Sequence, residues 1–341
     1  MGRLRNRSLF LLLLILLLLL FYLDLCVGSV SLGWRDVLAA FSGQLEDELG
    51  RRILFDFRLP RAVTAVVAGV ALSAAGLQMQ TLFRNPLAGP YVLGLSSGAG
   101  LGVALLVLGL PVIGWSATGM PSSISILLAA SLGAGLVMLL MLLVSFRVRD
   151  VLTLLILGIL LGSALSAVIS ILQYFTSESA LRVFVVWTLG SLGGVSTTQL
   201  NVLVPSVILG SLLAMASVKM LNGLLLGEEE ARSLGVNILL ARVLVFLSTS
   251  LLAGAITAFC GPIGFIGVAV PHLARMLFGT SDHRILMPAA FLCGAVMMLL
   301  SDMISQLPGT GMLLPINAVT SLLGIPVIVW IIFRNSVSAK G

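Results

Sequence analysis

Apolar segments long enough to cross a membrane recur along the whole of this 341-residue chain. A transmembrane helix needs about 20 apolar residues, and breaking the chain at charges, prolines and polar clusters leaves ten such segments. Only 9% of the residues are charged, against roughly 25% in an average soluble domain, which excludes a soluble enzyme. The fold class predicted is an all-α integral membrane protein. The predicted spans are 8–30, 62–82, 91–110, 122–145, 151–174, 197–217, 242–260, 265–279, 286–305 and 315–333.

Small residues indicate how these helices pack. The 36 glycines and the low aromatic content favour helices in close contact over a barrel of alternating strands. LSAAGLQMQ (72–80) with GPYVLG (89–94) resembles LLAGAITAF (251–259) with GPIGFIG (261–267). The two copies would run in opposite directions through the membrane, which predicts a possible inverted repeat of the kind found in transporters.

The distribution of charge predicts that both termini are cytoplasmic, since basic residues collect on the inner side of a membrane. With ten spans, the chain is a single permease domain over 1–341. Residues 31–61 then form an outer loop, which could contain a short interfacial helix, and residues 218–241 form a cytoplasmic loop. Thirteen of the 19 basic residues then lie inside. They are Arg3, Arg5, Arg7, Arg84, Arg147, Arg149, Lys219, Arg232, Arg242, Arg275, Arg284, Arg334 and Lys340.

The residues that are missing constrain the energy source. The acids nearest the spans, Asp24 and Asp302, are expected at outer ends in contact with water, so no central carboxylate is available for ion coupling. The lysines, Lys219 and Lys340, lie in no G-x-x-x-x-G-K-[ST] motif, which excludes a P-loop. Energy would therefore come from a separate subunit. A gradient-driven secondary transporter and an integral-membrane enzyme remain as alternatives, and the second lacks an intramembrane acid–base cluster.

The inner loop carries a helix-like signal. Glu228, Glu229 and Glu230 would open a short helix, because acids stabilise a helix N-terminus, and Gly235 would close it. Such a helix could link the chain mechanically to another protein, or it could be a solvated connection.

Five motifs in order resemble one family, the ABC importer permeases for iron–siderophore complexes, haem and cobalamin. They are RLPR (58–61), AGLQMQTLFRNPLAGPYVLGLSSGAG (75–100), GEEEARSLGV (227–236), GPIGFIGVAVPHLAR (261–275) and LPINAVTSLLGIPVIVWII (314–332). The resemblance implies ten helices per subunit and three kinds of partner: a second permease subunit, two cytoplasmic ATPases and a periplasmic or lipid-anchored binding protein. ATP and Mg²⁺ would be bound by the ATPase, with no cofactor in this chain.

The resemblance also implies roles for particular residues. Six residues of the inner loop would dock on the ATPase: Glu228, Glu229, Glu230, Ala231, Arg232 and Gly235. Arg58 and Arg61 would dock on the binding protein, or else anchor the helix at lipid headgroups. Many family members carry an arginine shortly after the outer aspartate, where this chain has Gln306, so a third docking arginine is not predicted.

Other motifs predict the pathway and its gates. NPLAGP (85–90) must interrupt a helix, GLSSGAGLG (94–102) allows backbones to approach closely, and the glycines of WTLGSLGGV (187–195) allow a shift during gating. The predicted pathway residues are Asn85, Pro86, Ser96, Ser97, Trp187, Gly190, Gly193 and Gly194. His272 and His283 are expected to be structural, because a metal site needs several convergent ligands. The chain is predicted to import a metal chelate or cobalamin, as a non-enzymatic permease of a bacterial inner membrane.

Overall fold

A computed structural model describes residues 2–28, 30, 32–45, 47–109, 122–148, 150–306 and 312–338. These residues form thirteen helices and no strand. The helices are α1 (Gly2–Cys26), α2 (Trp34–Phe41), α3 (Glu48–Leu82), α4 (Leu95–Gly109), α5 (Ser123–Arg147), α6 (Val151–Phe175), α7 (Glu178–Leu189), α8 (Thr197–Leu224), α9 (Glu228–Ser233), α10 (Ile238–Cys260), α11 (Ile266–Phe278), α12 (His283–Ser305) and α13 (Ile316–Ser338).

The predicted all-α membrane architecture is confirmed. Within the described ranges, seven helices have the length and apolarity of a membrane span. Three shorter apolar helices, Leu95–Gly109, Ile266–Phe278 and Ile316–Trp330, stand at the remaining predicted positions. The cytoplasmic placement of both termini stays a prediction, as does the inverted repeat. Following the charge distribution, we call the end of the bundle that holds α9 the inner end and the opposite end the outer end.

Helix α3 begins earlier than the sequence indicated. The second span was predicted at 62–82 because of the charges and proline before it, but the helix already starts at Glu48. A π-helical turn over Ile53–Arg58 precedes Pro60, and the amide of Leu59 bonds to the carbonyl of Leu54, five residues back. Proline has no backbone N–H to donate and would otherwise break the helix. The wider π-helical turn accommodates this missing donor.

Helix α3 lies at the centre of the bundle and packs against α12 and α11. A Cβ atom on Gly69 would lie 2.1 Å from the carbonyl oxygen of Gly294, and one on Gly76 would lie 1.7 Å from that of Gly267. Both contacts require glycine, because any side chain would force the backbones apart. The predicted close packing through small residues is confirmed here.

Polar caps fix where several helices begin. The side chains of Ser122, Asn237 and Asp282 accept backbone N–H bonds at the starts of α5, α10 and α12, as expected for N-caps. Asp150 caps α6. The pKa of this exposed carboxyl is held below its usual range, chiefly by a hydrogen bond from the hydroxyl of Thr153 and next by one from the Thr153 backbone amide. The starts of these four helices are therefore defined by local hydrogen bonds.

The outward surface suits a lipid environment. Leucines on α1, α5 and α6 are exposed along much of these helices, and most α6 side chains lie on the surface. The short helix expected within 31–61 is α2, which buries Val37 and Ala40 and exposes Trp34, Leu38 and Phe41. Its location at the membrane interface stays a prediction.

Candidate functional site

The inner loop is shorter than the predicted 218–241, because α8 continues to Leu224. Gly227, with φ at 125°, turns the chain into α9. At the other end the Gly235 amide donates to the carbonyl of Arg232 and the Val236 amide to that of Ala231, both at 2.9 Å. Gly235 has φ at 81°, so the loop ends in a Schellman motif that favours glycine. The predicted stop at Gly235 is confirmed.

The acids of α9 divide into two groups. Glu229 and Glu230 are exposed, whereas Glu228 turns inward to an ion pair with Arg242 at 2.8 Å. Ala231 is fully buried, and Arg232 is exposed at 4.0 Å from Glu228. Two large apolar side chains flank this helix, Leu226 at 60% and Leu234 at 66% exposure. The loop thus presents an acidic surface with apolar side chains beside it, suitable for contact with another protein.

A polar cluster holds the base of this loop to the core. The side-chain amide of Asn222 on α8 donates to Asp282 at 2.6 Å, and its oxygen accepts from the backbone amide of His283 at 2.8 Å. The His283 ring lies 2.8 Å from both Asn222 and Thr81, which belongs to α3. His272 lies 2.8 Å from the carbonyl oxygen of Pro86. Each histidine therefore has a hydrogen-bond partner within the chain, and among the described residues no group of three or more His, Cys, Asp or Glu side chains is placed to hold a metal ion.

At the outer end, Arg58 is buried, not projecting outward. Its guanidinium donates to the carbonyls of Leu25 and Cys26, each at 2.9 Å, and also to that of Val30. The carbonyls of Leu25 and Cys26 lie at the C-terminal end of α1, where a cation is favoured by the helix dipole. Only 7% of Arg58 is exposed, although it still lines an outer cavity.

Arg61 is held by a carboxylate of the same chain. Its Nε and Nη2 atoms donate to Asp302 at 2.9 and 2.8 Å, and Gln306 donates to both Asp302 and Asp24 at 3.1 Å. Asp302 and Asp24 are 0% and 3% exposed, so the expectation that they are hydrated was wrong. Their carboxylates are tolerated because each has hydrogen-bond donors. The docking role of Arg58 and Arg61 stays a prediction.

Two cavities open near this outer network. One, of about 480 Å³, is lined by Arg58, Arg61, Gly193, Gly194 and Gln306, among others. A Cβ on Gly193 would lie 3.5 Å from Nη1 of Arg61, so this nitrogen faces the cavity wall near two predicted gating glycines.

The second and larger cavity, of about 590 Å³, lies between α5, α7 and α10. Trp187, Arg182 and Gly194 line it, together with Phe259 and Cys260. Gly190, with φ at 74°, ends α7 where a Cβ would crowd the carbonyls of Pro262 and Cys260. The structure therefore gathers Trp187 and Gly194, which the sequence assigned to the pathway, around one chamber.

The remaining predicted pathway residues lie elsewhere. Asn85 and Pro86 occupy the turn between α3 and α4, where Asn85 accepts a hydrogen bond from the amide of Leu87. Ser96 and Ser97 lie half-buried on α4, and the Ser97 hydroxyl is 3.4 Å from that of Ser166 on α6. The helix break predicted at NPLAGP is confirmed, but a gating role for these residues stays a prediction.

Sequence reasoning missed three features of these sites. Arg242 was counted only as an inner charge, Arg182 was not singled out, and α6 carries an exposed row of Ser163, Ser166 and Ser170. The spacing of three and four residues places these serines on one helix face. That periodicity was readable from the sequence, whereas the partner of Arg242 was not.

Comparison with known proteins identifies the family of the chain. The FecCD transport family matches residues 15–334. The chain belongs to the FecCD transport family. The hemin transport system permease of Yersinia pestis is 37% identical over 327 residues, covering 92% of both chains. The vitamin B12 import system permease of Vibrio cholerae serotype O1 is 35% identical over 320 residues, again covering 92% of both.

The fold of this FecCD permease agrees with a solved relative. A metal-chelate type ABC transporter in an inward-facing conformation aligns with a TM-score of 0.82 and 31% identity, covering 96% of this chain and 99% of that one. The chain is therefore a multi-pass transmembrane permease subunit of an ABC importer, as the motifs predicted. Permeases of this family work with ATPase and substrate-binding partners.

Proposed function

We propose that this permease moves a metal chelate, such as an iron–siderophore complex or haem, or cobalamin, across a bacterial inner membrane by alternating access. The observation that carries the proposal is the similarity to both a hemin and a vitamin B12 permease over 92% of the chain. Both relatives transport bulky metal-containing molecules, and this chain would take the same class of cargo.

The larger outer cavity supports a bulky cargo. Its walls are mainly apolar and aromatic side chains with a few polar groups, the usual character of a site for a large organic ligand. Arg182 is the exposed cation on this wall, and it would favour a cargo that carries carboxylates, as haem does. A second copy of the chain would enlarge this chamber into a continuous pathway.

Three surfaces support the proposed partners. The acidic surface of α9 would dock on one of two cytoplasmic ATPases, which would bind and hydrolyse ATP with Mg²⁺ while this chain holds no cofactor. The exposed serine row of α6 would face a second, identical permease subunit, because serines are favoured where membrane helices meet. The cavity beside Arg61 would receive an acidic side chain of a substrate-binding protein.

Docking at Arg61 is tested separately from folding. Arg61→Lys keeps a positive charge beside Asp302, whereas Arg61→Gln removes it. In well-folded complexes we expect Arg61→Gln to weaken capture of the binding protein more than Arg61→Lys, with a larger difference at low salt, where screening is weaker. Equal affinities for both variants at low and high salt would remove Arg61 from the docking surface.

The proposed cargo class is tested by uptake into liposomes. The purified permease is reconstituted with its ATPase and binding protein and offered haem, an iron–siderophore complex or cobalamin. ATP-dependent accumulation of at least one is expected. Accumulation of none of the three, with the ATPase active, would reject this cargo class.

A further inference from the structure

One buried arginine joins three elements at the inner end. Arg242, near the start of α10, donates from Nη2 to Glu228 at 2.8 Å and from Nη1 to the carbonyl of Val148 at 3.0 Å. Glu228 opens α9, and Val148 caps the C-terminal end of α5. A single guanidinium therefore ties the inner loop to α5 as well as to α10.

This link is well suited to transmit force. Arg242 is only 4% exposed, and a charge-assisted hydrogen bond in such a setting is stronger and shorter than a neutral one. The Val148 carbonyl belongs to a helix C-terminus, which carries partial negative charge and favours a cation. The planar guanidinium can hold both acceptors at once in a fixed geometry.

The two helices joined by this link reach the larger outer cavity. Helix α10 packs along α5, and its 23 residues rise about 1.5 Å each, or roughly 35 Å in all. At the far ends, Ser123 and Ile126 of α5 and Phe259 and Cys260 of α10 line the cavity. Helix α10 also contains a π-helical turn at Ser250–Gly254, a feature frequent at functional sites.

We infer that the Glu228–Arg242–Val148 link transmits movement of the inner loop to α5 and α10, and through them to the walls of the larger outer cavity. The inference rests on the proposed docking of α9 on an ATPase. It divides the acidic run into two roles: Glu229 and Glu230 face outward to the partner, and Glu228 connects the loop to the pathway helices. Glu228 and Arg242 are thus positioning residues for transport.

The test uses the full complex of permease, ATPase and binding protein in liposomes. Glu228→Ala removes the carboxylate, and Glu228→Gln keeps its shape but not its charge. Glu48→Ala is the matched control, because Glu48 forms an exposed pair with Arg52 at 2.7 Å. For Glu228→Ala we expect the ATPase to remain bound through the exposed Glu229 and Glu230, but the amount of cargo moved per ATP hydrolysed should fall, because the charge-assisted hydrogen bond from Arg242 is lost. Glu228→Gln should give an intermediate loss and the control none.

Hydrogen exchange provides a second readout. In the wild-type complex, a non-hydrolysable ATP analogue should alter amide exchange at 144–148 and at 258–260. In Glu228→Ala this nucleotide response should disappear while exchange without nucleotide stays as in wild type. Raised exchange in both conditions would indicate a merely structural role and overturn the inference.

The outcomes separate this inference from the proposed function. If both Glu228 variants move as much cargo per ATP as the wild type and show the same nucleotide response in hydrogen exchange, the link is rejected. ATP-driven import itself would remain intact. Loss of ATPase binding in Glu228→Ala would also reject it, because Glu228 would then serve docking. If the wild-type complex itself fails to transport with ATP, the proposed function is what fails.

Discussion

Arg61 and Asp302 form a two-pronged ion pair across the outer end of the bundle, with Nε and Nη2 of the arginine 2.9 and 2.8 Å from the carboxylate. The two residues are 241 positions apart in the chain. Their contact fastens α3 to α12 at the level where Gln306 also reaches Asp24. We call the network of Arg61, Asp302, Gln306 and Asp24 the outer clamp, because it holds α3 against α12 within this chain.

Breaking this clamp should be costly. Arg61→Ala leaves the buried Asp302 without its cation, which in comparable buried pairs costs about 3–5 kcal/mol. We expect a clear fall in the melting temperature of the purified protein in detergent. Arg52→Ala, which breaks an exposed pair, should change stability by less than about 1 kcal/mol. Similar melting temperatures for the two variants would contradict the clamp.

Variants of α9 should separate docking from insertion. Glu230→Lys reverses an exposed charge, and Gly235→Val places a β-branched residue at a φ of 81°, which disfavours the Schellman turn. Both should insert normally but lose ATPase association and transport. Glu178→Lys, the same charge change at the outer end, should retain the ATPase. Fully bound and stimulated ATPase in the α9 variants would refute the docking assignment.

The contact between α3 and α11 should tolerate no side chain. In Gly76→Ala the new Cβ would meet the Gly267 carbonyl at 1.7 Å, so the helices must separate, at a cost of at least about 1–3 kcal/mol. Gly135→Ala, with nothing within 4 Å of the added atom, is the control. We expect the yield of folded Gly76→Ala to fall sharply in size-exclusion chromatography, while Gly135→Ala matches wild type. Equal yields would mean that the helices are not so closely packed.

Arg182 should influence which cargo is moved. Arg182→Gln removes the cation from the wall of the larger outer cavity while keeping a polar side chain. Uptake of haem, with its carboxylates, should fall relative to uptake of a cargo without them, because an uncompensated anion is disfavoured in an apolar chamber. The ratio of the two rates in liposomes measures the effect, and an unchanged ratio would exclude contact between Arg182 and the cargo.

The fold was largely predictable because hydropathy alone dictates membrane spans, and breaks at Pro86 and Gly261 mark where helices end. The Gly235 turn was predictable for the same local reason. The start of α3 was not predictable. A proline and several charges before residue 62 indicate a helix boundary, but a π-helical turn allows the helix to continue past Pro60.

The partners of charged side chains were the main failure. Asp302 and Arg61 meet only because α3 and α12 pack together, and Arg58 is drawn to carbonyls of α1 that lie far away in sequence. The division of the Glu228–Glu230 run likewise depends on where Arg242 lies in the folded chain. Local patterns cannot encode such contacts, so a charge at a membrane boundary was interpreted as exposed.

Uptake driven by ATP alone tests the central claim most directly. The wild-type permease is reconstituted with ATPase and binding protein, ATP is held constant, and proton and sodium gradients are collapsed with ionophores. If this chain is an ABC importer permease driven by ATP alone, uptake should continue undiminished and stop when ATP or the ATPase is omitted. Uptake that ceases with the gradients, or that proceeds without the ATPase, would contradict the account and favour a gradient-driven carrier.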